Sequence, residues 1–170
     1  MIRHATPKDI TQIMEIVADA VLFLRNHNIP QWQNNYPNVT TFMQDITNRT
    51  LYVEETDGII TGMANIATTR DPQYDKIYEG AWLTNSPYAV VHRIAVRGSA
   101  LGHGVACKLL TFAEEVAKEH NLTSIRIDTH RANSPMNHLL LKMGYEYCGV
   151  IELTDHNQAD YYRLAYAKKI

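Results

Sequence analysis

The stretch that decides the fold lies at residues 88–106 and reads YAVVHRIAVRGSALGHGVA. Its first nine residues are mostly apolar and rich in β-branched side chains, which is typical of a buried strand. His92 and Arg93 interrupt that apolar run. Two glycines, Gly102 and Gly104, follow the strand and mark a turn.

The residues after this turn predict a helix and then another strand. The helix covers residues 102–120, and its apolar stripe consists of Val105, Leu109, Phe112, Ala113 and Val116. The next strand covers residues 124–130. A strand, a helix and a strand in this order form a βαβ unit, so we expect the two strands to be parallel, with a right-handed crossover.

The remaining chain surrounds this unit with antiparallel strands and further helices. The predicted elements are a strand at 2–6, a helix from Thr6 with apolar positions through Leu24, a loop at 26–38, a helix at 39–48, strands at 51–55 and 59–68, a weakly periodic segment at 69–87, a helix from Ser134 closed by Gly144, and strands at 145–153 and 160–167. Asp57-Gly58 between two strands is a strong hairpin signal. We therefore predict an α/β fold whose mixed sheet is mostly antiparallel with a central parallel pair of strands, flanked by helices on both faces.

Length and composition limit the classes of function. The 170 residues predict one domain, and a net charge of −2 with a pI near 6.4 gives no footprint for nucleic acid. The sequence shows no signal peptide and no apolar segment of transmembrane length, so we expect a cytoplasmic protein with reduced cysteines and no membrane association. The eight histidines are scattered without zinc spacing, which argues against a metal site.

The glycine turn at residues 101–106 has the chemistry of an anion site. The unpaired N–H groups of a helix's first turn attract phosphate, and glycine lets a phosphate approach the backbone. The turn lacks the Gly-Lys-Ser/Thr of a P-loop, and Cys107 stands where a third glycine would complete GxGxxG. Taken alone, the motif supports a tight turn into a helix equally well.

Three pieces of sequence resemble the core of the GCN5-related N-acetyltransferases, the GNAT superfamily. They are His92-Arg93-Ile94-Ala95-Val96, the glycine turn, and Asn133 followed by Lys142-Met143-Gly144-Tyr145. The family's turn usually reads Arg/Gln-x-x-Gly-x-Gly/Ala; Gly104 and Ala106 keep the small positions, whereas Leu101 replaces the Arg or Gln. The resemblance implies the GNAT fold and transfer of an acetyl group from acetyl-CoA to an amine.

The resemblance also implies where acetyl-CoA binds. The strand backbone pairs with the pantetheine arm, the N–H groups of the turn hold the pyrophosphate, and Asn133 bonds the pantetheine. Lys142 either contacts a phosphate or is a solvated helix lysine. The implied residues are Ile94, Ala95, Val96, Leu101, Gly102, His103, Gly104, Val105, Ala106, Asn133 and Lys142.

Polar side chains in the two parallel strands are the candidates for catalysis, because such strands usually read as continuous apolar runs. Strict alternation places His92 with Val90 and Ile94, Arg93 with Val91 and Ala95, and Arg126 with Asp128 and His130. These groups form structural Arg–Asp or His–Asp pairs at a strand end, or they line a substrate pocket between separating strands.

Asp128 is the first candidate for the general base, acting through a water. It lies five residues before Asn133, where some GNAT relatives carry a catalytic glutamate. His92 is the second candidate, because an imidazole titrates at about pH 6.5. His130 would assist either group or help bind the substrate.

The general acid is not determined by the sequence. Relatives usually carry a tyrosine four residues before their Gly-Phe/Tyr pair, and that position is Leu140 here. Tyr145, Tyr161 and Tyr162 are alternatives among which nothing in the sequence selects.

The acceptor is expected to be a primary amine of a small molecule, an amino acid or a peptide. Trp32 and Tyr36 of the loop at 29–37, together with Arg93, are the candidate acceptor-binding residues; Trp32 capping the core is the equal alternative. An acyl-CoA sensor without turnover is a rival that Leu101 and Leu140 keep open, and a nucleotide-binding domain unrelated to CoA is another. The aromatic-rich C-terminal strand is a candidate for pairing in a homodimer.

Overall fold

The sheet is built around the strand that the opening motif predicts. The computed structural model describes residues 1–154 and 160–170. Across these residues, seven strands share one sheet in the order β1-β2-β3-β4-β5-β7-β6. The strands are β1 (Ile2–His4), β2 (Leu51–Thr56), β3 (Ile59–Ala67), β4 (Ala89–Val96), β5 (Ser124–Thr129), β6 (Glu146–Glu152) and β7 (Tyr162–Lys169).

Four α-helices cover the sheet in the described part of the chain. They are α1 (Ile10–Asn26), α2 (Val39–Thr47), α3 (Val105–Glu119) and α4 (Ser134–Lys142), with short 3-10 turns at Pro7–Asp9, Pro72–Tyr74 and Gly98–Ala100. The core under α1 and α2 contains Met63 of β3, whereas the core under α3 and α4 contains its neighbour Ala64. Adjacent strand residues point to opposite faces, so the helices lie on both faces, as predicted. Among the described residues, no helix is long and apolar enough to cross a membrane.

The strand pairing confirms the predicted mixed sheet. β4 and β5 run parallel, with residues 89–91 opposite 125–127. Every other pairing in the described sheet is antiparallel. Asp57 and Gly58 turn the β2–β3 hairpin with φ of 52° and 79°, the positive values that a tight hairpin turn requires.

Several element boundaries differ from the sequence prediction. Helix α3 begins at Val105 rather than at residue 102, because Gly102 and Gly104 have φ of 80° and 78°, left-handed values outside an α-helix. β1 ends at His4 rather than at residue 6, because Thr6 already caps the first 3-10 turn.

The last strand, β7, runs from residue 162 to residue 169 rather than from 160 to 167, and it lies inside the sheet. It is hydrogen-bonded to β5 on one side and to β6 on the other. The prediction that this strand pairs between two subunits is therefore wrong, because both of its edges are occupied.

A β-bulge at Arg93 changes which side chains of β4 share a face. Arg93 has a φ of 50°, and the register against β3 slips at this point. Ile94 therefore packs in the same core as Val91, whereas Ala95 packs in the core of the opposite face. The predictions that Ile94 shares a face with His92, and Ala95 with Val91, are wrong because an extra residue reverses the alternation beyond it.

The weakly periodic segment at residues 69–87 folds over the sheet near β4 and β7. Tyr74 is buried there among apolar residues of both strands. The guanidinium of Arg126, from β5, lies 4.2 Å from the ring centre of Trp82 and 3.7 Å from that of Tyr88. Contacts with the sheet, rather than periodicity of its own, therefore order this segment.

Candidate active site

A cavity of about 690 Å³ opens where β4 and β5 separate. The last pair of their ladder is Val91 with Ile127, and residues 92–96 and 128–129 beyond it line the cavity. β4 stays bonded to β3 on its other side, so the free edge of residues 92–96 faces the cavity. A volume of this size is ordinary for a pocket that holds a small ligand.

The glycine turn lies at one end of the cavity, where Leu101 and Ala106 belong to its lining. A Cβ built on Gly102 or on Gly104 would meet none of the described atoms within 4 Å. These positions therefore need glycine for their left-handed backbone, and the space beside them is open. Helix α3 begins directly after these glycines, and the unpaired N–H groups of a helix's first turn are able to bind an anion.

The other cofactor candidates are placed as follows. The cavity lining includes Ile94, Ala95, Val96 and Asn133, the side chain of Val105 is buried in the core, and His103 and Lys142 are exposed outside the described lining. Asn133 caps α4, because its Oδ1 accepts from the N–H of Met136 at 3.3 Å. Its Nδ2 donates to Oε1 of Gln31 at 3.1 Å, so the amide is held with its donor group at the cavity wall.

Four polar side chains form a cluster at the other end of the cavity. His92 Nε2 lies 2.6 Å from Asp71 Oδ2, and His92 Nδ1 lies 3.8 Å from Asp128 Oδ2. The hydroxyl of Tyr74 donates to the same Asp128 oxygen at 2.6 Å. Burial and then the charge of Asp128 raise the pKa of Tyr74 well above its usual value, so this phenol stays a donor.

Arg93 is held beside the cavity by partners from two other elements. Its Nε and Nη2 donate to the two carboxylate oxygens of Asp45, each at 2.8 Å, and its Nη1 donates to Tyr36 Oη at 3.0 Å. Burial lowers the pKa of Arg93, but Tyr36 and Asp45 outweigh this, and the net shift is upward. Tyr36 and Trp32 line the cavity, and Trp32 also packs on the core. That Trp32 and Tyr36 bind the acceptor stays a prediction.

Comparison with known proteins agrees with this geometry. The family model described as the acetyltransferase (GNAT) family matches residues 21–145. The chain belongs to the GNAT family of acetyltransferases. Comparison with curated protein sequences gave no match.

Solved structures of GNAT proteins share the fold over the whole chain. A GNAT-family acetyltransferase of Streptococcus agalactiae is 35% identical, with a TM-score of 0.86 over 100% of this chain and 95% of its own. The ribosomal-protein-alanine N-acetyltransferase of Brucella melitensis is 21% identical, with a TM-score of 0.72 over 100% and 99% of the two chains. The PaiA N-acetyltransferase of Thermoplasma acidophilum, in complex with coenzyme A, is 16% identical, with a TM-score of 0.71 over 100% and 98%.

The sequence predicts that His130 assists the general base or helps bind the substrate, but the described lining of the cavity does not include it. Its Nδ1 accepts from the N–H of Ala132 at 3.0 Å, so Nε2 carries the proton and donates to Asp160 at 2.8 Å. Burial lowers the pKa of His130, and Asp160 only partly offsets this. Both ring nitrogens of His130 are therefore hydrogen-bonded to residues outside the described cavity lining, and these bonds stabilise the loop between β5 and α4.

The position of the usual GNAT tyrosine, Leu140, is buried in the core under α4. Among the three alternatives, Tyr145 is buried in that same core, Tyr161 packs against the core cluster that contains Tyr74, and Tyr162 is exposed. The described lining of the cavity contains none of the three. The structure therefore selects no general acid from this set.

Several site residues were missed by reasoning from sequence. Three of them are hydrogen-bond partners of predicted site residues: Asp71 of His92, Tyr74 of Asp128, and Gln31 of Asn133. The fourth is Arg163 of β7, which lines the cavity although it is only 2% exposed. Asp71-Pro72 was the available signal, because Asp-Pro favours the start of a turn, and it stands in a long segment without periodicity. Neither feature indicates which strand the turn contacts.

Proposed function

We propose that this GNAT protein is an N-acetyltransferase that moves the acetyl group of acetyl-CoA directly to a primary amine of a small molecule, an amino acid or a peptide. The observation that carries the proposal is the cavity beside the free edge of β4. An open glycine turn at the start of α3 stands at one end of it, and the His92–Asp128 cluster stands at the other.

The residues present fit acetyl-CoA, which supplies the activated thioester. The free backbone edge of residues 94–96 offers hydrogen bonds along the cavity, as an edge strand does. The first turn of α3, entered through Gly102 and Gly104, would hold the pyrophosphate. The donor amide of Asn133 would exchange Gln31 for a pantetheine carbonyl. The complex of the Thermoplasma acidophilum relative with coenzyme A supports this assignment.

The cluster supplies what an amine acceptor needs. An alkylammonium with a pKa of about 10 must lose a proton before its nitrogen can attack a thioester. His92 and Asp128 present two proton acceptors 3.8 Å apart at the cavity wall. The thiol leaving group has a pKa of about 8.5, so a general acid helps the reaction without being essential.

Thiol release tests the proposal. The protein is incubated with acetyl-CoA and a panel of amines, amino acids and peptides, while free thiol is measured and products are weighed by mass spectrometry. We expect thiol release with at least one amine, and loss of coenzyme A binding in Gly104→Glu. Stabilisation by coenzyme A without thiol release from any acceptor would favour the sensor, and stabilisation by ATP or NAD instead would favour a nucleotide-binding domain.

Three further statements stay predictions from the sequence. They are that residues 1–170 form a single N-acetyltransferase domain, that the protein is cytoplasmic, and that it forms a homodimer. Since β7 is occupied on both edges, a dimer would use another surface.

A further inference from the structure

His92 stands between two carboxylates that treat its ring nitrogens differently. The 2.6 Å contact with Asp71 is a hydrogen bond, whereas the 3.8 Å distance to Asp128 is not. A carboxylate only accepts hydrogen bonds, so the proton of a neutral imidazole lies on Nε2, facing Asp71. The lone pair of Nδ1 then faces Asp128 at the cavity wall, which is the arrangement that a general base requires.

Asp71 is itself fixed before any substrate arrives. Its side chain caps the 3-10 turn Pro72–Tyr74, because Oδ1 accepts from the N–H of Gln73 at 2.9 Å. Its backbone N–H lies 3.3 Å from the hydroxyl of Tyr88. Burial raises the pKa of the Asp71 carboxyl, but the hydrogen bonds from His92 and Gln73 outweigh this and hold it below its usual value. Asp71 is therefore an ionised and oriented partner.

Asp128 is held by the other end of the same turn. Tyr74 donates to Asp128, and the indole Nε1 of Trp82 donates to the carbonyl oxygen of Tyr74 at 2.8 Å, which anchors the turn. Burial lowers the pKa of Arg163 in β7, and the negative charge of Asp128 partly offsets this lowering. Asp128 thus accepts a hydrogen bond from Tyr74, whereas Nδ1 of His92, which lines the same cavity, lies 3.8 Å from Asp128, beyond hydrogen-bond distance.

The charged and titratable groups that face His92 come from every neighbouring element. They are Asp71 and Tyr74 from the segment before β4, Asp128 from β5, Arg163 from β7 behind Asp128, and Arg93 from β4 itself. Arg93 is neutralised by Asp45. Two carboxylates, Asp71 and Asp128, therefore lie next to the ring.

We infer that Asp71 positions His92 as the group that takes the proton from the acceptor amine, with Asp128 stabilising the charged ring. This inference rests on the proposed function. An ammonium proton passes to Nδ1, the freed nitrogen pair forms the C–N bond to the acetyl carbon, and the C–S bond breaks with its electron pair going to sulfur. A second N–H proton ends on sulfur. Each turnover yields one amide, one thiol and one proton, which His92 returns to solvent.

The test compares Asp71→Asn with the wild type in steady-state rates across pH. We expect kcat to fall about tenfold or more, and the acid limb of kcat/KM to move to lower pH, because the charged ring has lost a carboxylate. The ionisation of the amine is common to both proteins and cancels in the comparison. Asp71→Glu should restore the limb, and the KM for acetyl-CoA should stay unchanged. His92→Gln should lose more activity than Asp128→Asn.

Asp75→Asn is the matched control. Asp75 lies in the same segment and pairs with Arg70 at the surface, so the substitution removes the same charge without touching His92. It should leave both rate and pH profile unchanged. An unchanged pH profile in Asp71→Asn, in an active enzyme, would overturn the inference while leaving the proposed function standing.

A second measurement does not depend on turnover. Long-range ¹H–¹⁵N spectra of the histidine rings in the wild type report which nitrogen carries the proton. We expect the Nε2–H form for His92, and a mixture of forms in Asp71→Asn. A wild-type ring protonated on Nδ1 would overturn the inference. The absence of thiol release from every amine would instead count against the proposed function, and the spectra would still decide the positioning of His92.

Discussion

Replacing Gly104 by alanine tests the anion site, because the hairpin provides a matched control. Gly104 and Gly58 have φ of 78° and 79°, and a Cβ built on either meets none of the described atoms within 4 Å. Alanine at both positions therefore costs only the left-handed backbone, about 1–2 kcal/mol each. For a chain of this size, that lowers the Tm of each variant by about 2–8 °C.

Binding of coenzyme A should separate the two variants. The methyl group of Gly104→Ala stands at the start of α3, where the proposed function requires a phosphate to approach the backbone N–H groups. Loss of one hydrogen bond to a charged group costs about 1.5–3 kcal/mol. This corresponds to a Kd that is about 10- to 150-fold higher. Gly58→Ala lies in the β2–β3 turn and should bind as the wild type does.

Titration calorimetry measures the Kd, and differential scanning calorimetry measures the Tm. We expect the two variants to lose similar amounts of Tm and to differ in their affinity for coenzyme A. If both variants bind coenzyme A equally well, the glycine turn is not the phosphate site. If Gly104→Ala loses far more Tm than Gly58→Ala, contacts that the open space does not show must stabilise the turn.

Two further predictions concern stability. Arg3 donates to Asp9 at 2.8 Å, and this hydrogen bond is the largest cause that lowers the pKa of Asp9 from 3.8 to about 2. The pair therefore stabilises the fold fully above pH 3.8, and this stabilisation is lost as the pH falls towards 2. Asp9→Asn should therefore cost about 2 kcal/mol at neutral pH and progressively less in urea titrations at lower pH; a constant difference would contradict it. Asp45→Asn should cost about 3–5 kcal/mol in urea unfolding, because it leaves the buried guanidinium of Arg93 without its ion pair. Asp75→Asn, at an exposed ion pair, should cost much less than Asp45→Asn, and equal losses in the two variants would contradict this prediction.

Local patterns in the sequence determined the fold class and located the glycine turn beside the cavity. The apolar strand at β4, the helical stripe of α3 and the next strand β5 repeat with the periods of their own secondary structure. Asp57-Gly58 and the glycine turn are local as well, because a positive φ is a property of one residue and its neighbours. Such signals need no knowledge of distant contacts.

Only the tertiary structure decided the catalytic end. Tyr74 and Asp128 are 54 residues apart, and Arg93 and Asp45 are 48 residues apart. The bulge at Arg93 reverses the alternation of β4, and a period of two cannot encode an extra residue. Asp71 reaches His92 because a segment without periodicity packs onto the sheet. The glycine turn could be identified from the sequence because its conformation is local, whereas the cluster of His92, Asp71, Tyr74 and Asp128 forms only through contacts between distant segments.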